Sequence, residues 1–297
     1  MLIRVATRGS ALAIWQAEYV SELLRSADAS VEVQLVRVST QGDRDKITPL
    51  EVIGGKGVFV KEVQLAVLDD RADIAVHSGK DLPAVTPDGL VVAAVPERGD
   101  PRDVLVGTSL KDLPNGATVA TGSIRRRAQL ASLRPDLRFE TLRGNIETRL
   151  LRAEAFDAIV MAAAALARLE LKPEVVDRLA VATMIPQVAQ GAIAIECRSD
   201  DAELRMRLGD LDHSKSRTAF DTERSFLAEV GGDCELPIAG HAVVDAGTVE
   251  FSAAILSPGG QTVLTETRSG TEPQRLGRDV ARWLLDEQGG ANLLGRP

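Results

Sequence analysis

Residues 73–83 read Asp73-Ile74-Ala75-Val76-His77-Ser78-Gly79-Lys80-Asp81-Leu82-Pro83. Ile74, Ala75 and Val76 make a short apolar run of the kind that forms a buried strand, and Pro83 stops regular structure. Between them lies a polar turn in which a flexible glycine precedes Lys80 and Asp81. In open α/β sheets, ligands bind beyond the carboxyl ends of the strands, so this turn stands where chemistry is done. The same residues also suit an ordinary polar turn with one ion pair. Repetition favours a site, because the chain returns several times to a strand, a short polar turn, then arginine or serine.

Working outward, Leu2 to Thr7 predicts a strand. Ala11 to Ser26 predicts an amphipathic helix with Leu12, Trp15, Tyr19, Val20, Leu23 and Leu24 on its apolar face. Val31 to Val38 alternates as a second strand. Residues 39–57 lack periodicity and carry Gly42, Pro49, Gly54, Gly55 and Gly57, the composition of a long functional or mobile loop. Helix is expected from Val58 to Leu68 and strand from Leu90 to Val95. Pro96 to Asp103 reads as a linker, after which the strand–helix rhythm restarts. Strands are expected at 118–121, 138–142 and 158–162, with helices at 124–133, 146–155 and onward to Leu169. Ala192 to Ile195 is a very apolar strand. From about Ser214 the pattern changes to one long helix, strands near 242–244, 248–256 and 263–269, and a final helix to Glu287, a small α+β domain.

The 297 residues suffice for two or three domains of roughly 100 residues each. A formal net charge of −8 argues against a nucleic-acid binder that works by global attraction. Arginine nevertheless outnumbers lysine 28 to 7. Its planar fork suits carboxylates and phosphates, although a GC-rich genome gives the same bias, so placement decides. The cysteines, Cys197 and Cys234, stand 37 residues apart, and His77, His213 and His241 are scattered, so no metal-ligand spacing exists. The amino terminus begins as a strand without a signal-peptide pattern, and no apolar run reaches membrane-span length. The expectation is a cytosolic protein with reduced thiols.

Val5-Ala6-Thr7-Arg8-Gly9-Ser10 and Val119-Ala120-Thr121-Gly122-Ser123 are nearly the same strand-to-helix turn. Each aims a helix N-terminus, with free N–H groups and a positive dipole end, at one spot. Arg8 and Ser10 flank the first turn, while Ser123, Arg125, Arg126 and Arg127 flank the second. Arg143 and Arg149 stand at another strand end and the helix start that follows. Arg125 and Arg126 lie where a helix disfavours cations, so a bound anion explains them better than a solvated face. They are read as exposed, hence replaceable without loss of fold. Converging arginines imply a polyanionic ligand.

Cys197, in the run Ala192-Ile193-Ala194-Ile195-Glu196-Cys197 just past the apolar strand, reads as a buried, inert thiol. Cys234 follows Gly231-Gly232-Asp233, whose paired glycines allow a tight, exposed turn. That leaves both a chemical and a structural role open to it. His77 beside Ser78 suggests a hydrolase only weakly, since Gly-x-Ser-x-Gly is absent.

Several segments, in order over essentially the whole length, resemble the porphobilinogen deaminase (hydroxymethylbilane synthase) family. They include residues 6–17, Ala-Thr-Arg-Gly-Ser-Ala-Leu-Ala-Ile-Trp-Gln-Ala, and 54–62, Gly-Gly-Lys-Gly-Val-Phe-Val-Lys-Glu. Residues 72–81, 97–103, 122–126, 142–150, 190–196 and the Cys234 loop continue the match. The resemblance implies an α/β fold of two periplasmic-binding-protein-like lobes with a cleft between them, plus a small C-terminal α+β domain. The first lobe would comprise 1–98 plus 190–210, the second 102–187 and the third domain 214–297. Strand Ala192–Ile195 would thus return to the first lobe.

The resemblance implies a transferase of tetrapyrrole biosynthesis that joins four porphobilinogen molecules head to tail, releasing ammonia each time, to give linear hydroxymethylbilane. It implies a dipyrromethane primer held as a thioether on Cys234 and an acid–base carboxylate at Asp81. The carboxylate-binding set maps to Arg8, Ser10, Lys56, Lys80, Thr121, Ser123, Arg125, Arg126, Arg143, Arg149, Arg168 and Gln190. Acetate and propionate groups on each pyrrole make the growing chain the polyanion that the arginines require. A monomeric cytoplasmic enzyme follows, without nucleic-acid or membrane partners and without a metal. Gly79, Gly122, Val52, Asp233 and Ala165 depart from the residues common in the family, which bears on rate rather than reaction type. A non-enzymatic, two-lobed anion-binding module is the alternative, and it requires no group on Cys234.

Overall fold

The computed structural model describes residues 1–40, 60–231 and 236–295. Most of the expected loop 39–57, and with it Lys56 and Val52, lies outside the described residues, as do Asp233 and Cys234.

Among the described residues the strands run β1 (Leu2–Arg8), β2 (Glu32–Val38), β3 (Ile74–Ser78), β4 (Leu90–Ala94), β5 (Asp103–Val106), β6 (Thr118–Ala120) and β7 (Arg138–Glu140). They continue with β8 (Ala158–Ala162), β9 (Val176–Arg178), β10 (Ile193–Arg198), β11 (Ile238–Asp245), β12 (Thr248–Leu256) and β13 (Val263–Gly270). The helices are α1 (Ala11–Ala27), α2 (Lys61–Leu68), α3 (Ile124–Leu133), α4 (Ile146–Leu151) and α5 (Ala163–Arg168). After these come α6 (Ala202–Gly209), α7 (Ser214–Val230), α8 (Pro273–Arg282) and α9 (Gly290–Leu293). The chain forms two compact units, residues 1–99 with 192–217 and residues 100–191 with 218–297.

The first unit holds a five-stranded sheet in the order β2-β1-β3-β10-β4. β1 runs parallel to β2 and β3, while β10 is antiparallel to β3 and β4. Strand alternation sends Ile3, Val5, Ile74 and Val76 to one face, where they pack with Ala17, Val20 and Leu24 of α1. Ala6 and Ala75 point to the other face, against Val63, Ala66 and Val67 of α2. Covering both faces is what makes these strands near-continuous apolar runs. The sheet of the second unit repeats the plan in the order β7-β6-β8-β5-β9. β6 is parallel to β7 and β8, and β5 is antiparallel to β8 and β9. In each sheet an antiparallel strand from outside the local βαβ run is inserted fourth.

The small C-terminal domain is the antiparallel meander β11-β12-β13 with α7 and α8. Ala239, Ala254 and Leu256 pack on Ala128 of α3, within the second unit. The turn after β12 comes so close that a Cβ on Gly260 would lie 2.3 Å from the Ala128 carbonyl oxygen. Gly260 also has φ +76°, so only glycine suits the position.

Three sequence expectations change. The buried face of α1 is wider than expected: Val20 and Leu24 are buried and Trp15 and Tyr19 pack against the core, but Gln16, Ala17 and Ser21 are buried as well, while Leu12 and Leu23 are half-exposed. Gln16 belongs inside because its side chain bonds to Ser78 on β3. The expected linker 96–103 ends in β5, whose residues are all buried, and β9 and α6 carry too little pattern to be read. Finally, β10 runs on through Glu196 and Cys197 to Arg198.

Candidate active site

β1 and β3 are parallel neighbours, with Val5 opposite Ile74 and Ala6 opposite Ala75, so their carboxyl ends open on the same edge. Arg8 ends β1, and Ser10 caps α1 by accepting the Ala13 N–H at 3.3 Å. β3 ends at Ser78 and turns at once into a single 3-10 turn, Gly79–Asp81. The buried Gly79 N–H donates to the Ala192 carbonyl at 2.9 Å, which ties this turn to the approach of β10. Gln16 Nε2 donates to Ser78 Oγ at 2.8 Å. The result is a pocket of about 60 Å³ lined by Arg8, Ser10, Gln16, His77, Ser78 and Asp81. The structure thus brings Arg8, Ser10 and Asp81 together; Lys80, half-buried, shares the turn.

His77 reaches this pocket from the interior. Its side chain is 3% exposed, with Nε2 3.1 Å from Glu196 Oε2. Glu196 also accepts from Gln64 Nε2 at 2.8 Å.

In the second unit, Thr121 Oγ1 accepts the Ser123 N–H at 3.2 Å, and Ser123 Oγ caps α3 at the Arg126 N–H. Arg125 and Arg126 follow, and here the expectation of exposed side chains is corrected. Arg125 is 2% exposed and Arg126 5%. The counter-charge is internal: Asp103 Oδ2 accepts from Arg125 Nη2 at 2.7 Å, and Oδ1 accepts from Arg126 Nε at 2.9 Å. Gln190 Nε2 donates to the same Oδ1 at 2.9 Å and to the Pro101 carbonyl at 2.7 Å. Burial alone would raise the Asp103 pKa, but the charges of Arg125 and Arg126 and the Gln190 bond outweigh it and hold it at about 2. Burial pushes the Arg125 guanidinium below its ordinary value, against the pull of Asp103.

Two guanidinium groups share one carboxylate, which leaves a net positive charge, and Arg125 Nε has no hydrogen-bond partner among the described residues. Arg143 and Arg149 are half-exposed nearby in sequence, where Asn145 caps α4 and Arg149 Nε donates to the Gly144 carbonyl at 2.8 Å. Arg168 ends α5 and donates to the Gly191 carbonyl at 2.6 Å, next to Gln190.

Asp103 and Gln16 are the residues that sequence reading missed. The only signal for Asp103 was an acid opening the run Val104-Leu105-Val106. Cys197 is buried as expected, and burial, aided by Asp201, pushes its thiol up to about 11. No group of three or more His, Cys, Asp or Glu side chains among the described residues could hold a metal ion. No helix there is long and apolar enough to cross a membrane.

Two family models match the chain. Residues 3–206 match the porphobilinogen deaminase dipyrromethane cofactor binding domain, and residues 218–286 the porphobilinogen deaminase C-terminal domain. The porphobilinogen deaminase of Geobacillus kaustophilus is 44% identical over 300 residues, covering 99% of this chain and 97% of that one. That of Syntrophobacter fumaroxidans is 44% identical over 292 residues, covering 96% and 94%. The chain therefore belongs to the porphobilinogen deaminase family, transferases of tetrapyrrole biosynthesis that work with a dipyrromethane cofactor.

Proposed function

We propose that this chain holds its dipyrromethane on Cys234 and uses Asp81 as the acid–base carboxylate while four porphobilinogen units are joined. The observation that supports this most is the pocket at the ends of β1 and β3, where Arg8 and Ser10 stand beside Asp81. Its donor set fits a molecule bearing acetate and propionate groups: a guanidinium and a hydroxyl at the start of α1, next to one negative charge. The second lobe fits as well, since its arginine pair keeps a net positive charge and an unpaired Arg125 Nε.

When bound, the dipyrromethane supplies the nucleophilic pyrrole carbon from which the chain grows. Arg8, Ser10, Lys80, Thr121, Ser123, Arg125, Arg126, Arg143 and Gln190 would hold its carboxylates. Lys56, Arg149 and Arg168 join Arg8 and Arg143 for incoming porphobilinogen. As the aminomethyl C–N bond of porphobilinogen breaks and ammonia departs, positive charge develops on the substrate. The Asp81 carboxylate stabilises that charge and takes up or returns the pyrrole N–H proton. The chain acts as a cytoplasmic monomer, with residues 214–297 as the cofactor-bearing domain and no nucleic-acid partner. The relatives are enzymes by name, which leaves the anion-binding-module reading without support.

Intact mass tests the attachment. Protein made in cells should exceed 31.7 kDa by a two-pyrrole adduct. Cys234→Ser should lack the adduct and Cys197→Ser should keep it. An unmodified yet fully active wild-type chain would overturn the thioether.

A further inference from the structure

Glu223 lies in the middle of α7 with its side chain fully buried. Its Oε2 accepts the Ala189 N–H at 2.6 Å, and its Oε1 accepts the Ala242 N–H at 2.8 Å. Among the described strands, β11, to which Ala242 belongs, pairs with β12 alone, so its outer edge needs partners. Residues 185–190 supply them. The Gly240 N–H donates to the Pro186 carbonyl at 3.0 Å, and two residues along Glu223 bridges Ala242 to Ala189. Ala189 has φ +58°, a conformation that a non-glycine residue keeps only when its surroundings hold it.

The other side of the same segment grips the arginine cluster. Arg125 Nη1 donates to the Ile185 carbonyl at 2.7 Å, and Gln190 donates to Asp103. Residues 185–190 are therefore a two-sided connector between α3 and β11, pinned on the β11 side by Glu223. In sequence, α7 ends at Val230 and β11 begins at Ile238, so the elements that Glu223 joins flank the segment carrying Cys234. A buried carboxylate is a poor device for stability alone, because well-packed apolar side chains serve as well or better. Two converging N–H donors to one charge instead fix position.

We propose that Glu223 is a positioning residue that holds both flanks of the Cys234 segment in register with the Gln190–Asp103–Arg125–Arg126 cluster. Primer attachment and the grip on its carboxylates are thereby built into one frame. This rests on the reading that Cys234 carries the primer.

The test uses the full chain and its Glu223→Gln variant, which keeps the shape but has one carbonyl oxygen for two N–H donors. The fraction of molecules bearing the two-pyrrole adduct, read by intact mass, should fall roughly tenfold or more, as loss of a charge-assisted bond implies. Turnover per adduct-bearing molecule should fall as well. Val280→Ala, which trims a fully buried side chain of α8 and leaves residues 185–190 and Glu223 unchanged, should lower the melting temperature while leaving the adduct fraction unchanged. Should Glu223→Gln not accumulate as folded protein, Glu223→Asp keeps the charge one methylene shorter and should give an intermediate adduct fraction. A modified wild-type chain beside an equally modified, equally active Glu223→Gln would overturn the inference alone. Adduct loss in Val280→Ala matching that in Glu223→Gln would also overturn it. A wild-type chain without adduct would overturn the Cys234 reading and the inference with it.

Discussion

The Asp103 carboxylate lies 2.7 Å from Nη2 of Arg125, and neither side chain reaches solvent beyond 2%. Sequence reasoning required an anion for the arginines at the start of α3, and the protein supplies one from β5. Removing one partner of a buried ion pair strands the other charge, whereas an exposed arginine contributes little.

Arg125→Ala should therefore cost about 3–5 kcal/mol of stability. Arg143→Ala, at a half-exposed position, should cost less than about 1 kcal/mol. Denaturant unfolding of the two variants checks the contrast. Equal midpoints would show that Asp103 does not depend on Arg125, and would return Arg125 to the ligand-only role first read from the sequence.

Acid stability follows from the same pair. The Asp103 pKa falls from 3.8 to about 2 on folding, so its contribution is complete above pH 3.8 and fades as pH drops through 2. Asp103→Asn mimics the protonated form. It should be well below wild type at pH 5, and the gap should narrow by about 2 kcal/mol on reaching pH 2. A gap that stays constant across that range would contradict a depressed Asp103.

How legible the molecule was depended on the distance over which each feature is decided. The strand Ile74–Val76 and the position of Asp81 could be read because apolar run, glycine and proline are adjacent. The echo between Val5–Ser10 and Val119–Ser123 marked both helix starts for the same local reason. Asp103 could not be read, because its partners lie 22, 23 and 87 residues away on α3 and before β10. Gln16 could not be placed on the buried face of α1, because it answers to Ser78, 62 residues on. Glu223 looked like any charge on a long helix until β11 and Ala189 were seen to converge on it.

Asp81 carries the central claim, and comparing two substitutions for it is the most direct test. Asp81→Asn keeps the shape and loses the charge. Asp81→Glu keeps the charge but displaces it by one methylene, and a misplacement of about 1 Å can cost a hundredfold. The measurement is steady-state hydroxymethylbilane formation by adduct-bearing protein. Turnover nearly abolished in Asp81→Asn and slow but measurable in Asp81→Glu is the expected result, whereas near wild-type turnover in Asp81→Asn would contradict a carboxylate role for Asp81.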